Sequence, residues 1–261
     1  MRAAPQGPVL SVHGLKKHFG GVRALDGIDL EVRAGEILGV IGPNGAGKTA
    51  LINTITGFYR AGEGRILLGE TDITALSMNR IGHLGVGRTF QNIRLFRRMT
   101  VLENVLVAFK TFAERPLHAL FGMADRKETI SRAMHWLRLL QLEDKADQSA
   151  ASLSYGDARR LEIARALAGG PSVLLLDEPA AGMNESETAQ LIRDIRTIRE
   201  SVQAIVLIEH DMSLIRALSD RIVAMDYGRK IAEGTVDEVL RHPEVLRAYL
   251  GAEHEAVEPA L

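Results

Sequence analysis

The stretch that most constrains this chain is ILGVIGPNGAGKTA, residues 37–50. Five apolar residues run straight into a loop that holds Gly42, Gly45 and Gly47, with Lys48 and Thr49 directly after it. The unbroken apolar run at Ile37–Ile41 reads as a buried strand, and TALINTITGF beyond the loop repeats its apolar residues at helical spacing. Glycines between a strand and a helix let the backbone come close to a ligand, and the lysine implies that the ligand is anionic. Gly42-x-x-x-x-Gly47-Lys48-Thr49 is the spacing of a phosphate cradle, the P-loop. Residues Gly42, Pro43, Asn44, Gly45, Ala46, Gly47, Lys48, Thr49 and Ala50 are therefore the candidate nucleotide-binding segment. Successive backbone N–H groups would wrap the phosphates, Lys48 would reach the β- and γ-phosphates, and the Thr49 hydroxyl would ligate Mg²⁺.

The rest of the chain supplies a frame for that loop. Residues 9–38 alternate apolar and polar positions between Gly-rich turns, which predicts antiparallel strands. GRILLGETDIT returns to strand, and Val101 to Gly169 carries mostly helical signals, as in ISRAMHWLRLLQLED and DARRLEIARALAGG. A second buried strand follows at Val173–Leu176, then AQLIRDIRTIRE as an amphipathic helix, AIVLI as strand and MSLIRALS as helix. RIVAMDYGRKIAEG reads as a hairpin, VDEVLRHPEVLRAYL as one closing helix, and HEAVEPAL as a frayed end. A single parallel crossover needs only a dozen or more residues, so the distance from Lys48 to Val173 requires a helical insertion. The expected class is α/β: a P-loop core of parallel sheet flanked by helices, an antiparallel β subdomain and an inserted helical subdomain. One domain is expected over 9–251: β subdomain and first part of the core at 9–90, helical subdomain at 91–168, second part of the core at 169–236, and a C-terminal helix at 237–251. Residues 1–8 and 252–261 are expected to be flexible termini.

Composition removes several chemistries. Cysteine is absent, which excludes disulfides, thiolate zinc sites, iron–sulfur clusters and a cysteine nucleophile. The net charge of −1 creates no global field for nucleic acid or an anionic membrane. No run approaches the ~20 apolar residues of a membrane helix, and MRAAPQGPVL holds no stretch suited to a secretory signal.

Four further segments carry candidate chemistry. VLLLDEP delivers Asp177 and Glu178 at the end of a buried strand, where ligands of open α/β sheets bind. Asp177 suits Mg²⁺ through water, and Glu178 could orient and deprotonate an attacking water. In LSYGDARRLEIARAL, Ser154 and Asp157 fit a capping box, while Ser154, Tyr155 and Gly156 at a helix N-terminus equally fit an anion site. His210 follows the strand IVLIE, where a histidine serves either structure or catalysis. Gln91, in RTFQNIRLF, could touch the metal or the attacking water, and Phe19 could stack on an adenine or belong to the core.

Together these residues resemble the ATP-binding cassette ATPases, from about Leu10 to Gly251. Phe19 falls at that family's adenine-stacking aromatic, residues 42–49 at its Walker A loop and Gln91 at its Q-loop. LSYGD (153–157) matches the signature, usually LSGGQ; LLLDE matches Walker B, AAGMN the D-loop and His210 the H-switch. Finer stretches, including RTFQNIRLFRRMTVLENVLVA, LDEPAAGMN, LIEHDM and RAYLGAEH, look like the branched-chain amino-acid importer ATPases. The stretch Phe109–Arg126 resembles the longer of that system's two ATPase subunits. The resemblance implies ATP and Mg²⁺ as ligands, with Glu178, His210, Gln91 and Lys48 as catalytic residues and Thr49, Gln91 and Asp177 at the metal. It implies a second ABC ATPase subunit, identical or not, facing this one head to tail, so that Ser154–Gly156 closes on the other subunit's nucleotide. Two transmembrane permease subunits, an extracytoplasmic solute-binding protein and a peripheral place at the cytoplasmic face of the cell membrane follow as well; nucleic acid is not a partner. Arg88–Met99, mixing Arg94, Arg97 and Arg98 with Leu95, Phe96 and Met99, is the expected permease dock or else a solvated basic loop. Related systems move urea, amides or aromatic acids, or export lipopolysaccharide. ABC ATPases of translation or DNA repair usually carry two cassettes, a long coiled coil or an iron–sulfur cluster, which this sequence lacks.

Four positions depart from the family pattern. Ala50 stands where a second Thr or Ser is common, Tyr155 where the signature has glycine, and Asn184 where many D-loops have Asp. Asp157 replaces a glutamine. A carboxylate about 8 Å from a γ-phosphate, at an effective dielectric near 40, would repel it by roughly 1 kcal/mol per phosphate charge.

Overall fold

The computed structural model describes residues 7–109 and 123–255. Its first elements are β1 (Leu10–Phe19), β2 (Val22–Val32), β3 (Ile37–Ile41), α1 (Lys48–Ile55), β4 (Glu63–Leu68) and β5 (Thr71–Asp72). Next come α2 (Met78–Leu84), β6 (Val86–Arg88), α3 (Val101–Leu106), α4 (Met123–Leu139), α5 (Tyr155–Ala168), β7 (Val173–Asp177) and α6 (Glu185–Ile198). The chain continues with β8 (Ala204–Ile208), α7 (Met212–Leu218), β9 (Arg221–Asp226), β10 (Arg229–Gly234), α8 (Val236–Leu240) and α9 (Pro243–Glu255). They divide into two compact units, one of Met1–Ile81 with Gln203–Leu261 and one of Gly82–Val202.

In the first unit, β1 and β2 pair antiparallel around Gly20–Gly21, with Phe19 opposite Val22 and Leu10 opposite Val32. Two shorter strands complete that sheet in the order β2-β1-β4-β5. β3 runs parallel to β8 on one side and to β9 on the other, Val40 lying opposite Ile208 and Val223. Every residue of β3 and β8 is buried, which explains why both read as continuous apolar runs rather than alternating ones. The β9–β10 hairpin turns at Tyr227 and Gly228, with φ of 40° and 76°. Positive φ at both central residues suits the right-handed twist of the flanking strands.

In the second unit, β6 runs parallel to β7, Arg88 opposite Leu175. Its helical core joins Val101 and Val105 of α3, Ala133 and Leu137 of α4, and Leu161, Ile163, Ala164 and Leu167 of α5, all buried.

The expected α/β class holds, with an antiparallel sheet and parallel strand pairs both present. Three local expectations are corrected. The helix read over 189–200 begins earlier, at Glu185, because Asn184 caps it and Glu187 returns the bond to the Asn184 amide. The single closing helix is two helices, α8 and α9, parted at Arg241–His242. Pro243 has no N–H to continue α8 and instead opens α9 at the first helical position, where proline is favoured. That last helix runs to Glu255, past the expected start of a flexible end at 252. Strand β6 has only the residues Val86–Arg88, too short a stretch to show a periodicity, and together with α2 it was not foreseen. Most of the Phe109–Arg126 insertion lies outside the described residues, as do 1–6 and 256–261 of the termini. No helix among the described residues is long and apolar enough to cross a membrane.

Candidate active site

The parallel register of β3 and β8 sends two candidate segments out of the same sheet end. The glycine-rich loop leaves β3 after Ile41, and Glu209–His210 leave β8 after Ile208, two positions that are nearly level across the pair. Ligands of such sheets bind at the carboxyl ends of the strands. Gly47, with φ of 101°, is the N-cap of α1, and no side chain caps that end. A Cβ at Gly47 would stand 2.5 Å from the carbonyl oxygen of Ala24, so both the space and the backbone conformation require glycine. A helix start without a side-chain cap is an end at which backbone N–H groups and the macrodipole favour an anion. Lys48, buried inside the loop, donates to the carbonyl oxygens of Gly42 at 2.6 Å and Pro43 at 3.0 Å. The loop is thus curled around its own ammonium, the group that a phosphate would attract.

The outer side of the loop is braced from the β9–β10 turn. The Gly228 amide donates to Ala46 O at 3.0 Å, and the Asp26 amide donates to Gly228 O at 2.8 Å. Asn44, Gly45 and Thr49 are exposed, Pro43 and Ala50 half-buried, and Ala46 buried. Phe19 is 43% exposed, with the Tyr59 ring against its edge at 4.9 Å and Lys17 Nζ 5.0 Å from its centroid. It is therefore an accessible aromatic and not a core residue. The His210 side chain is 62% exposed; its Nδ1 lies 3.9 Å from a carboxylate oxygen of the buried Glu209.

In the second unit, the parallel pairing of β6 and β7 brings the Q-loop segment to both acidic residues. Gln91 Nε2 donates to Glu178 Oε2 at 2.7 Å. Arg88 Nη2 donates to Asp177 Oδ2 at 2.9 Å, with side-chain exposures of 10% and 3%. Burial pushes the Asp177 carboxyl above its ordinary range, and the Arg88 charge offsets this only in part. Glu178 has a φ of 46°, a left-handed conformation that costs a non-glycine residue and turns the chain sharply where the strand ends.

Ser154 caps α5, accepting from the Asp157 amide at 3.2 Å. The other half of the expected capping box is corrected: the Asp157 carboxylate goes to Lys145 Nζ and Arg160 Nη2 instead of the Ser154 amide. Burial is the largest single influence on this carboxyl and would raise it. The hydrogen bonds from Lys145 and Ser154, with the charge of Arg160, outweigh burial and hold it below the usual range. Two cations on one carboxylate also offset the repulsion of a phosphate reckoned from the sequence. Tyr155, in the signature's glycine position, donates its hydroxyl to Ala181 O at 2.7 Å, linking the signature to the D-loop. Ser154 and Gly156 line an open cleft of about 340 Å³ together with Lys145, Asp157 and Arg160.

Sequence reasoning missed Arg159. This arginine is fully buried and donates to Phe90 O at 2.6 Å, Gln91 O at 2.8 Å and Glu162 Oε2 at 2.7 Å. It ties the signature helix to the Q-loop. Glu162 also accepts from the Arg94 amide at 3.2 Å, and burial raises its carboxyl above the ordinary value.

Among the described residues no group of three or more His, Cys, Asp or Glu side chains could hold a metal ion. The donors assigned to Mg²⁺, the Thr49 hydroxyl, the Gln91 amide and the Asp177 carboxylate, are hard oxygens with a single charge among them. Oxygen donors of this kind suit a cation that keeps several waters and takes its remaining ligands from phosphates.

The ABC transporter family model matches residues 25–181, and a model described as branched-chain amino acid ATP-binding cassette transporter matches residues 229–255. The chain is similar to the high-affinity branched-chain amino acid transport ATP-binding protein LivG of Salmonella typhimurium. The two are 46% identical over 251 residues, covering 94% of this chain and 98% of LivG. The ADP conformation of MJ1267, an ATP-binding cassette of an ABC transporter, superposes with a TM-score of 0.83 at 34% identity, covering 94% of this chain and 99% of MJ1267. The cassette MJ0796, solved as a dimer in a post-hydrolysis state with ADP and Pi, has a TM-score of 0.73 at 25% identity, covering 87% and 98%.

Proposed function

The chain belongs to the ABC transporter family as one of its ATP-hydrolysing cassettes, and we propose that it powers the import of branched-chain amino acids from the cytoplasmic face of a cell membrane. The observation that carries this reading is the similarity to LivG along nearly the whole of both chains. The match at 229–255 extends it to the C-terminal helices.

The residues divide the work. Amides of the 42–49 loop and Lys48 bind the phosphates, the helix start at Gly47–Lys48 favours their charge, and Phe19 stacks on the base. Thr49 and Asp177 would hold Mg²⁺, whose charge would offset that of the phosphates. Glu178 accepts the proton of the attacking water, Gln91 orients that water, and His210 contacts the γ-phosphate. Because Gln91 holds the Glu178 carboxylate in the structure described here, catalysis requires that hydrogen bond to be exchanged for one to the water. Ser154–Gly156 offers a second helix N-terminus, which binds the γ-phosphate on a facing cassette; ATP thereby joins two subunits and its cleavage parts them. The dimer of the related MJ0796 cassette supports the pairing.

Two permease subunits and an extracytoplasmic solute-binding protein complete the assembly. The permease dock is the open groove of about 700 Å³ lined by Phe90, Arg94, Leu95, Phe96, Val107 and Arg165. Phe96 is 51% exposed there, and the Arg165 guanidinium lies 5.6 Å from its ring, an apolar anchor inside a basic rim.

The test is reconstitution with the co-purified membrane partners in vesicles. ATP-driven uptake of leucine is expected, and Glu178→Gln should form an ATP-bound dimer with turnover lowered on the order of 10²–10⁴-fold. Uptake of urea or an aromatic acid in place of leucine would reassign the substrate. Hydrolysis at the parental rate in Glu178→Gln would mean another base.

A further inference from the structure

Arg88 is not used by the roles above, yet it sits on one of them. It ends β6, and its guanidinium pairs with the Asp177 carboxylate at 2.9 Å, both side chains being at most one-tenth exposed. The same guanidinium is fixed from two further directions: Nε donates to Thr89 O at 3.2 Å, and its Cζ lies 4.8 Å from the Phe90 ring centroid. Thr89 in turn presents its hydroxyl to the Asp177 amide at 3.4 Å. Three residues on, Gln91 occupies Glu178. One short segment, 88–91, therefore covers both carboxylates of β7's end.

A carboxylate already paired with a buried cation is a poor ligand for a second one. The resident guanidinium and an arriving divalent ion repel each other at close range in a poorly screened setting. The pair must part, or Arg88 must swing aside, before Asp177 accepts a metal directly or through its water. Arg88 and Phe90 also line the open groove with Arg94 and Phe96, and the Arg94 guanidinium lies 4.6 Å from the other contact of Arg88, the Phe90 ring. Anything pressed into that groove acts on the residue that holds Asp177.

We propose that Arg88 is a positioning residue that keeps Asp177 closed to Mg²⁺ until the 88–91 segment shifts, so that metal loading is coupled to the state of the groove. This rests on the assignment of Asp177 to the metal made above. The coupling acts on metal affinity; the phosphate contacts assigned to the loop at 42–49 do not involve Arg88.

The experiment uses the full chain with ATP and Mn²⁺, bound metal being read from the loss of the free-ion electron paramagnetic resonance signal. ATP affinity in chelator is measured alongside. Arg88→Gln should bind Mn²⁺ about tenfold more tightly, an ordinary size for coupling between sites, with metal-free ATP affinity within about twofold of the parent. Adding Asp177→Asn should erase the gain, leaving the double variant equal to Asp177→Asn alone. Arg88→Lys keeps the charge but not the planar donor array, and should fall between parent and Arg88→Gln. It decides the matter should Arg88→Gln fail to fold: tighter Mn²⁺ binding supports the proposal, and unchanged or weaker binding overturns it. If parental protein fails to bind ATP both with and without Mn²⁺, the nucleotide reading falls; if it binds ATP and the Arg88 variants match it in Mn²⁺ affinity, only the role of Arg88 falls.

Discussion

Replacing Arg159 with methionine tests how the Q-loop is anchored, because a single buried cation supplies the anchor. Arg159 is wholly inaccessible and Glu162 is 1% exposed, so the substitution leaves a buried carboxyl group without its main partner. Removing one partner of a buried pair costs about 3–5 kcal/mol. Glu162 keeps the Arg94 amide at 3.2 Å and a distant Arg165 at 4.0 Å, which places the cost in the middle of that range. The carbonyls of Phe90 and Gln91 also lose their donor, but Gln91 is exposed and water can replace part of what is lost. A net loss of about 4 kcal/mol is a large part of the 5–15 kcal/mol that holds a typical domain, and lowers Tm by about 8–16 °C. Trp136 is the chain's sole tryptophan and sits on α4 in the same unit, so its fluorescence in a urea titration reports the relevant transition. The double variant Arg159→Met with Glu162→Leu removes both charges and should recover most of the loss, since apolar replacement of a whole buried pair is often neutral. A single variant within 1 kcal/mol of the parent, or a double variant no better than the single, would refute this account of the anchor.

Asp157 gives a pH signature. Its folded carboxyl is held below 3.8, so its contribution to stability is present above that value and lost as pH falls through the folded one. The stability difference between the parent and Asp157→Asn should therefore be full at neutral pH and shrink below 3.8 in chemical denaturation at stepped pH; a difference independent of pH would mean the two cations do not act on the charge. Asn184→Ala removes the cap of α6 and should cost about 1 kcal/mol, while Asn184→Asp keeps the acceptor and should stay near the parent in thermal melts. Equal losses in both would show that the D-loop asparagine acts other than as a cap.

What the sequence made legible is what lies close together along it. The buried strands are continuous apolar runs because their neighbours cover both faces, and the phosphate loop is a matter of eight consecutive residues whose glycines meet local backbone demands. The site's partnerships were not legible because they close over long spans. Arg88 meets Asp177 across 89 positions, Gln91 meets Glu178 across 87, and Arg159 reaches the Phe90 carbonyl across 69. Asp157 showed the cost of reasoning from one charge: its partner Lys145 lies twelve residues earlier, on a turn that no periodicity announces. The break before α9, by contrast, was written in Pro243, and a helix read straight through it ignored the missing N–H.

Arg159 lies between these cases. On α5 the buried positions Gly156, Ile163 and Leu167 fall along one helical line, and Arg159 sits on that line at the same spacing. A guanidinium on an apolar stripe is too costly to bury without acceptors, so its position alone implies oxygens waiting opposite the helix. The carbonyls of Phe90 and Gln91 and the Glu162 carboxylate are those oxygens. The misplaced charge therefore foretells that a polar backbone segment packs on the signature helix, and the segment it finds is the one whose glutamine holds Glu178. A charge set among apolar neighbours thus marks the joint between two functional motifs, where an apolar residue would have marked only the core.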